Sequence, residues 1–160
     1  MEIQDLIIRP MEMGDKERVE NFYDSMGFES CFFFNSTGYN RKYTLRFFGD
    51  NPDVNARHWV AIDTETGRMV GYVFLFHTDL KVVHFGIAVA DDYKGKHLGR
   101  RLIDTVKAWC CENGKGGILL TTHPANIRGQ MLYRRCGFVQ IGTSNNNGEF
   151  LFLYSFPEEQ

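Results

Sequence analysis

The chain is short of the features that most directly announce a membrane, an export route or a metal. No apolar run approaches the roughly 18 residues of a membrane span, and the opening Met-Glu-Ile-Gln-Asp has neither the basic nor the apolar part of a secretory leader. Cys31, Cys110, Cys111 and Cys136 are irregularly spaced, which suits neither a zinc pair nor a disulfide framework, so a reducing, cytoplasmic setting and no metal are expected. Basic excess is missing too. The formal charge is −2, from 18 Lys and Arg against 20 Asp and Glu, and such a balance does not imply a nucleic-acid surface. There is no repeat, low-complexity segment or linker, and 160 residues with 43% hydrophobic content fit one domain spanning 1–160 that buries its own core.

What is present is a clear sequence of periods. Residues 3–9 read as a strand ended by Pro10. Gly14-Asp15 then opens an amphipathic helix with Val19, Phe22, Tyr23 and Met26 at helical spacing, stopped by Gly27. Residues 28–48 are rich in aromatics, with a second helix from about Tyr39 to Phe48. Core packing is expected for most of these rings, and a minority would line a pocket. Trp59–Asp63 and Met69–Phe76 form a hairpin, and Val82–Val89 follows as a third antiparallel strand. Leu98, Leu102, Ile103, Val106, Trp109 and Cys110 keep helical spacing up to Asn113-Gly114. Ile118–Thr122 is a short buried strand, Ala125–Cys136 a helix, and Phe138–Ile141 with Phe150–Tyr154 a strand pair around an Asn-Gly turn. The order predicts an α/β (α+β) fold, a mixed sheet with helices on both faces.

The stretch Ile87–Arg101 organises the rest. An apolar strand runs into a glycine-spaced turn and then a helix whose first turn carries Lys94, Lys96, Arg100 and Arg101 nearby. Helix starts usually carry Asp or Glu, because their free amides and dipole make that end positive. Added positive charge at such a turn points to a phosphate cradle. Further on, Asn126, Gly129 or Gln130, and Tyr133 fall on one stripe of a helix, while Ile127 and Met131 point elsewhere to packing. That stripe would run beside an extended ligand whose phosphates rest in the cradle.

Together these stretches resemble the Gcn5-related N-acetyltransferases, the GNAT superfamily. Ile87-Ala-Val89, then Asp92-Tyr93-Lys94-Gly95-Lys96-His97-Leu98-Gly99, match its Arg/Gln-x-x-Gly-x-Gly/Ala phosphate signature. Asn126, followed seven residues on by Tyr133 within Leu132-Tyr-Arg-Arg-Cys-Gly-Phe138, matches its later motif. Lys94 replaces the usual Arg or Gln, and His97 stands where the first signature glycine is expected, so its side chain must contact the diphosphate or point away.

The resemblance implies a mostly antiparallel sheet of about six to seven strands, splayed where acetyl-CoA enters, and acetyl transfer to an amine. Backbone groups of Ile87 and Val89 would pair with the pantetheine arm, and the amide near Ala88 or Val89 would polarise the thioester oxygen. The amides from Lys94 through Gly95, Lys96, His97, Leu98, Gly99 and Arg100 would hold the diphosphate. Asn126, beside Gly129, would bond the pantetheine or its neighbourhood, and Tyr133 would sit near the sulfur.

Chemistry then asks for two proton steps. An amine of pKa about 10.4 must become neutral to attack, at a cost near ~4.6 kcal/mol at pH 7. The departing thiolate needs an acid, and Tyr133 is the candidate. Family members with a base place a Glu on the strand before the signature; Lys81–Gly86 offers no carboxylate, which leaves His84 and His123 as candidate bases. A water chain, or an acceptor that arrives neutral, would leave both idle. Cys136 lies a turn past the sulfur position and reads as core. The expected acceptor is a small-molecule primary amine, apolar or planar. A protein lysine or N-terminus, or a coenzyme-binding regulatory domain without catalysis, are the alternatives. The exposed edge of the last hairpin could pair two copies as a homodimer.

Overall fold

The computed structural model describes residues 5–158, so the expected start of the first strand at Ile3 lies outside the described residues. One seven-stranded sheet carries the chain. Its strands are β1 (Leu6–Pro10), β2 (Ala56–Asp63), β3 (Met69–Phe76), β4 (Val82–Val89), β5 (Gly117–Thr122), β6 (Val139–Thr143) and β7 (Phe150–Ser155), in the spatial order β1-β2-β3-β4-β5-β7-β6. Every neighbouring pair is antiparallel except β4 with β5. Pro10 does not end β1 as expected; it belongs to the strand, opposite Trp59. An edge strand tolerates a residue without an N–H.

The parallel contact is short. β4 is eight residues long and β5 six, yet they pair only at Val82 with Gly117, Val83 with Ile118 and His84 with Leu119. Beyond His84 the two strands part, which is the expected splay.

Alternation along β3 assigns the two faces. A Cβ built on Gly71 would stand 3.1 Å from Leu102 and 3.2 Å from Leu98, so this face meets helix α4 (Leu98–Glu112). Its stripe Leu98, Leu102, Ile103, Val106 and Cys110 is buried, each leucine contributing about 1.5–3 kcal/mol of transfer free energy. The next residue, Tyr72, points the other way, to Thr44 and Phe34. That face carries α1 (Lys16–Asp24), α2 (Phe28–Phe34) and α3 (Tyr39–Leu45), the last continued by a 3-10 turn at Arg46–Phe48. Helix α5 (Ile127–Arg135) lies on the α4 side, where its Tyr133 ring meets Phe85 and Phe152. Among the described residues no helix is long and apolar enough to cross a membrane.

α2 was not expected as a helix, because Phe-Glu-Ser-Cys-Phe-Phe-Phe shows no buried stripe; only Ser30 is buried. The expectation that most of the 28–48 aromatics form core also needs correction. Phe34, Tyr43, Phe47 and Phe48 pack partly buried against the core, whereas Phe28, Phe32 and Tyr39 are exposed, Phe28 at 89%.

Candidate functional site

The parting of β4 from β5 opens a cleft of about 640 Å³. Its strand side is Ile87, Ala88 and Val89, its turn side Lys94, Gly95, His97, Leu98, Gly99 and Arg100, and its helix side includes Asn126, Gly129 and Tyr133. Of the expected coenzyme residues only Lys96 is outside the lining. Its ammonium sits 5.3 Å from the centre of the Tyr93 ring.

Strand geometry decides which backbone groups face the gap. Ala90 N–H bonds Val70 O at 2.8 Å, and alternation along the antiparallel β3–β4 ladder then turns Ala88 toward β3 as well. Ile87 and Val89 carry their N–H and C=O toward the missing β5. Of the two amides considered for the thioester oxygen, that of Val89 therefore has the open direction.

The turn leaves a bare helix start. Gly95 and His97 both have positive φ, 78° and 65°, and no side chain caps α4. Its first bond runs from Arg101 N–H to His97 O at 3.3 Å, so the amides of Leu98, Gly99 and Arg100 precede the helical ladder. His97 thus occupies a backbone position that glycine adopts without strain, and His is among the side chains that tolerate it better than most. Gly99 lets α4 and α5 approach closely: a Cβ there would stand 2.8 Å from a Leu132 methyl of α5, which would have to move. Of the two acidic residues before the turn, Asp91 pairs with Lys94 at 3.6 Å and Asp92 is committed elsewhere. Asp92 is held bidentately by Arg68 at 2.8 and 2.9 Å, and that guanidinium keeps its carboxyl below the ordinary range. Among the described residues Glu29 is the one carboxylate lining the cleft, against Lys94, Arg100, Arg128 and Arg135, so the cleft favours anions.

Tyr133 is 7% exposed, wedged among Phe85, Phe138 and Phe152, and its hydroxyl makes no hydrogen bond among the described residues. Burial pushes its phenol well above the usual value, so it stays protonated at neutral pH. Asn126 is the N-cap of α5: its Oδ1 accepts from Gly129 N–H at 3.1 Å and its Nδ2 donates to Thr122 at 3.1 Å. Gly129 follows from that cap, since a Cβ there would lie 2.5 Å from Asn126 Nδ2. Gln130 is buried and donates to the carbonyls of His123 and Pro124 at 3.3 and 2.8 Å.

Neither candidate base lines the cleft. His84 lies on the α1–α3 face, its ring 4.8 Å from that of His77 and 5.1 Å from Phe76, and burial, with His77 beside it, lowers its pKa. His123 stands at the mouth, its ring 5.1 Å from Phe32 and 5.6 Å from Phe33. Its Nδ1 faces Ala125 N–H at 3.0 Å, so in the neutral ring the proton is on Nε2.

The minority of 28–48 aromatics expected to line a pocket are Phe33 and Phe34; sequence reasoning did not single them out, missed that they stand on a helix with Glu29 and Ser30 beside them, and placed Ile127 and Met131 wrongly. The latter do not pack; they are 61% and 45% exposed and line the cleft. Cys136, read as core, is buried but also reaches the lining. Among the described residues no group of three or more His, Cys, Asp or Glu could hold a metal ion.

The acetyltransferase (GNAT) family profile matches residues 20–138. No curated protein matches the chain. Among solved structures it is similar to the GNAT domain of S. lividans PAT, with a TM-score of 0.78 at 18% identity, over 93% of this chain and 89% of that one. It is similar also to PaiA N-acetyltransferase from Thermoplasma acidophilum in complex with coenzyme A, at 0.74 and 17%, over 94% and 99%. A dodecameric spermidine N-acetyltransferase from Vibrio cholerae follows at 0.67 and 21%, over 95% and 94%. At these identities the likenesses show a shared fold. The profile, in contrast, covers the signature turn, the splayed strands and the Tyr133 helix together, and the chain belongs to the acetyltransferase (GNAT) family.

Proposed function

We propose that the protein is an N-acetyltransferase that moves an acetyl group from acetyl-CoA to the primary amine of a small molecule, by direct attack with both substrates bound. The observation that carries this reading is a buried tyrosine, Tyr133, with no hydrogen-bond partner among the described residues, lining a cleft opened by the three-pair β4–β5 contact. The cleft fits acyl-CoA: a strand edge for an amide-bearing arm, bare helix amides and cations for a diphosphate, and an apolar floor.

Acetyl-CoA, when bound, supplies the acyl group as a thioester. Ile87 and Val89 would hold the arm through their gap-facing backbone groups, and the Val89 amide would donate to the carbonyl oxygen as negative charge develops there. Tyr133 would give its proton to the departing sulfur, and the proton lost by the attacking nitrogen, carried by water, would restore it. Its raised pKa does not oppose this role, because burial disfavours a thiolate in the same cleft as it disfavours a phenolate.

No base is needed if the acceptor binds neutral. Phe33 and Phe34 on the cleft, with Phe28 and Phe32 exposed beside them, suit an apolar or planar amine. Such surroundings lower an ammonium pKa, reducing the ~4.6 kcal/mol deprotonation cost. His123, the nearer of the two histidines to this wall, would serve as a base only after exchanging tautomer. A second copy would pair at the edge strand β6, where Val139 and Ile141 are exposed.

The test is thiol release from acetyl-CoA with a panel of amines. Tyr133→Phe should lower kcat by about 100-fold, the low end of general-acid contributions; full activity would refute the assignment. Saturating acetyl-CoA should add about 2.7 kcal/mol of stability at 100 times its Kd. Binding without turnover on any amine would favour the regulatory reading.

A further inference from the structure

Helix α2 is seven residues long, with only Ser30 buried and two of its phenylalanines exposed. A helix this short is not stable alone in water. Its position rests on tethers. At its C-terminal end Asn40 Nδ2 bonds Phe34 O at 2.5 Å, and on its flank Phe32 and Phe33 meet the His123 ring. The third tether is at its start and leads to the phosphate turn. Asp91 Oδ2 accepts the Gly27 N–H at 2.9 Å, and Asp91 Oδ1 accepts the Ser30 hydroxyl. Ser30 in turn accepts from the Lys94 ammonium at 2.6 Å, and that ammonium lies 3.6 Å from Asp91. A hydroxyl has one proton, so the direction is fixed: Lys94 donates to Ser30, and Ser30 donates to Asp91. Gly27 is part of the device, because a Cβ on it would come within 2.7 Å of Asp91 Oδ2.

α2 therefore bridges the mouth of the splay. One end is fixed to the turn that would hold the diphosphate, and its rings Phe33 and Phe34 form the wall on the acceptor side. Lys94 belongs to both. We infer that Asp91 is a positioning residue of the transfer site: with Ser30 and Gly27 it seats α2 on the phosphate turn, so that coenzyme bound at Lys94 is felt by the aromatic acceptor wall. This rests on the proposed acetyl transfer. An anion at the turn draws on the Lys94 ammonium, which changes the charge facing Ser30 and Asp91 and hence the hold on α2. Acceptor binding then depends on coenzyme occupancy.

Three substitutions probe the link by different means. Asp91→Asn keeps the size and an acceptor for Gly27 but removes the charge. Ser30→Ala removes the relay, and Gly27→Ala pushes α2 off by contact alone. Each should raise the acceptor KM by about fivefold, as expected when a hydrogen bond to a charged group is partly replaced, while coenzyme binding does not weaken with it, since Asp91→Asn and Ser30→Ala leave the Lys94 ammonium freer for an anion. In the wild-type protein, coenzyme A should change the hydrogen exchange of amides 28–34, and Ser30→Ala and Asp91→Asn should abolish that change. An unaltered acceptor KM in all three variants, or a coenzyme Kd that weakens in step with it, would overturn the link. Coenzyme A that binds the wild type without altering exchange at 28–34 overturns the link and leaves the proposed function standing; coenzyme A that does not bind refutes both.

Discussion

Stability should fall between pH 6.5 and pH 4 chiefly because of His58 on β2, with His84, also lowered by burial, adding in the same direction. The His58 ring lies against Tyr72 with planes 5° apart and against Phe74 at 6.1 Å, and Nδ1 is 2.7 Å from the Tyr72 hydroxyl. Tyr72 is fully buried and continues to Thr44 at 3.2 Å, which meets Tyr23 at 2.7 Å. Burial pushes the His58 imidazolium down to about 4, Asp53 opposing this and Arg57 reinforcing it. An unfolded histidine titrates near ~6.5. As pH falls through that value the unfolded chain takes up a proton that the folded chain refuses, so folding loses stability until the folded group also titrates near 4. The gap of about 2.5 units at ~1.36 kcal/mol each gives a loss of about 3 kcal/mol. The window separates this from the acidic groups: Asp15, Asp53, Asp91 and Asp92 are all held below the ordinary carboxylate value, so their contributions are lost at lower pH. Urea unfolding from pH 8 to pH 4.5 should show the slope in the wild-type protein and a much flatter profile in His58→Gln. A flat wild-type profile, or an undiminished slope in the variant, would refute the reasoning.

Four further outcomes follow from local geometry. Asn126→Ala should cost about 1 kcal/mol in chemical unfolding, the usual worth of an N-cap, and Gly129→Ala should cost a similar amount by displacing the same side chain. His97→Gly should gain about 1 kcal/mol by relieving positive φ; coenzyme affinity measured by calorimetry will hold if the imidazole points away from the diphosphate and fall if it contributes. Asp15 is 1% exposed and accepts Arg9 bidentately at 2.8 and 2.9 Å. Burial alone would raise its carboxyl, but Arg9, the Glu12 amide and Arg18 hold it low. Asp15→Asn should therefore destabilise by about 3 kcal/mol at neutral pH, with the deficit shrinking as pH falls through the native Asp15 pKa.

The strands, α4 and α5 were legible because each is written in local periodicity. The splay was not written that way. Nothing in Val82–Val89 shows that pairing to β5 stops at His84; it is expected only from the family resemblance, and the structure shows it in three register pairs. The proposed coenzyme side could be suggested from sequence for a related reason, since it is built from backbone groups, and backbone geometry imposes glycines and spacing on a sequence. The proposed acceptor side is built from residues whose neighbours are far away in the chain: Phe33 with His123, Phe34 with Tyr72 and Phe74, Ser30 with Asp91. α2 went unseen because a helix held by tethers needs no amphipathic stripe. Ile127 and Met131 were misread because exposed apolar residues beside a cleft look, in sequence, like packing residues.

Asn126 shows how a motif residue can serve local structure and a ligand at once. Its spacing to Tyr133 suggested a ligand contact, and the structure makes it a helix cap. The two roles are compatible by count. A side-chain amide has two donors and an acceptor oxygen with two lone pairs. The cap uses one lone pair for Gly129, and the strand end uses one N–H for Thr122. One donor and one acceptor direction remain, on a residue that lines the cleft. The cap also fixes the amide's rotamer before any ligand arrives, so the remaining donor is presented without further loss of side-chain entropy. Asn126→Asp would keep the cap and remove that donor. It should therefore leave stability near wild type while weakening coenzyme binding, whereas Asn126→Ala lowers both. Equal coenzyme affinity in wild type and Asn126→Asp would confine this residue to its structural role.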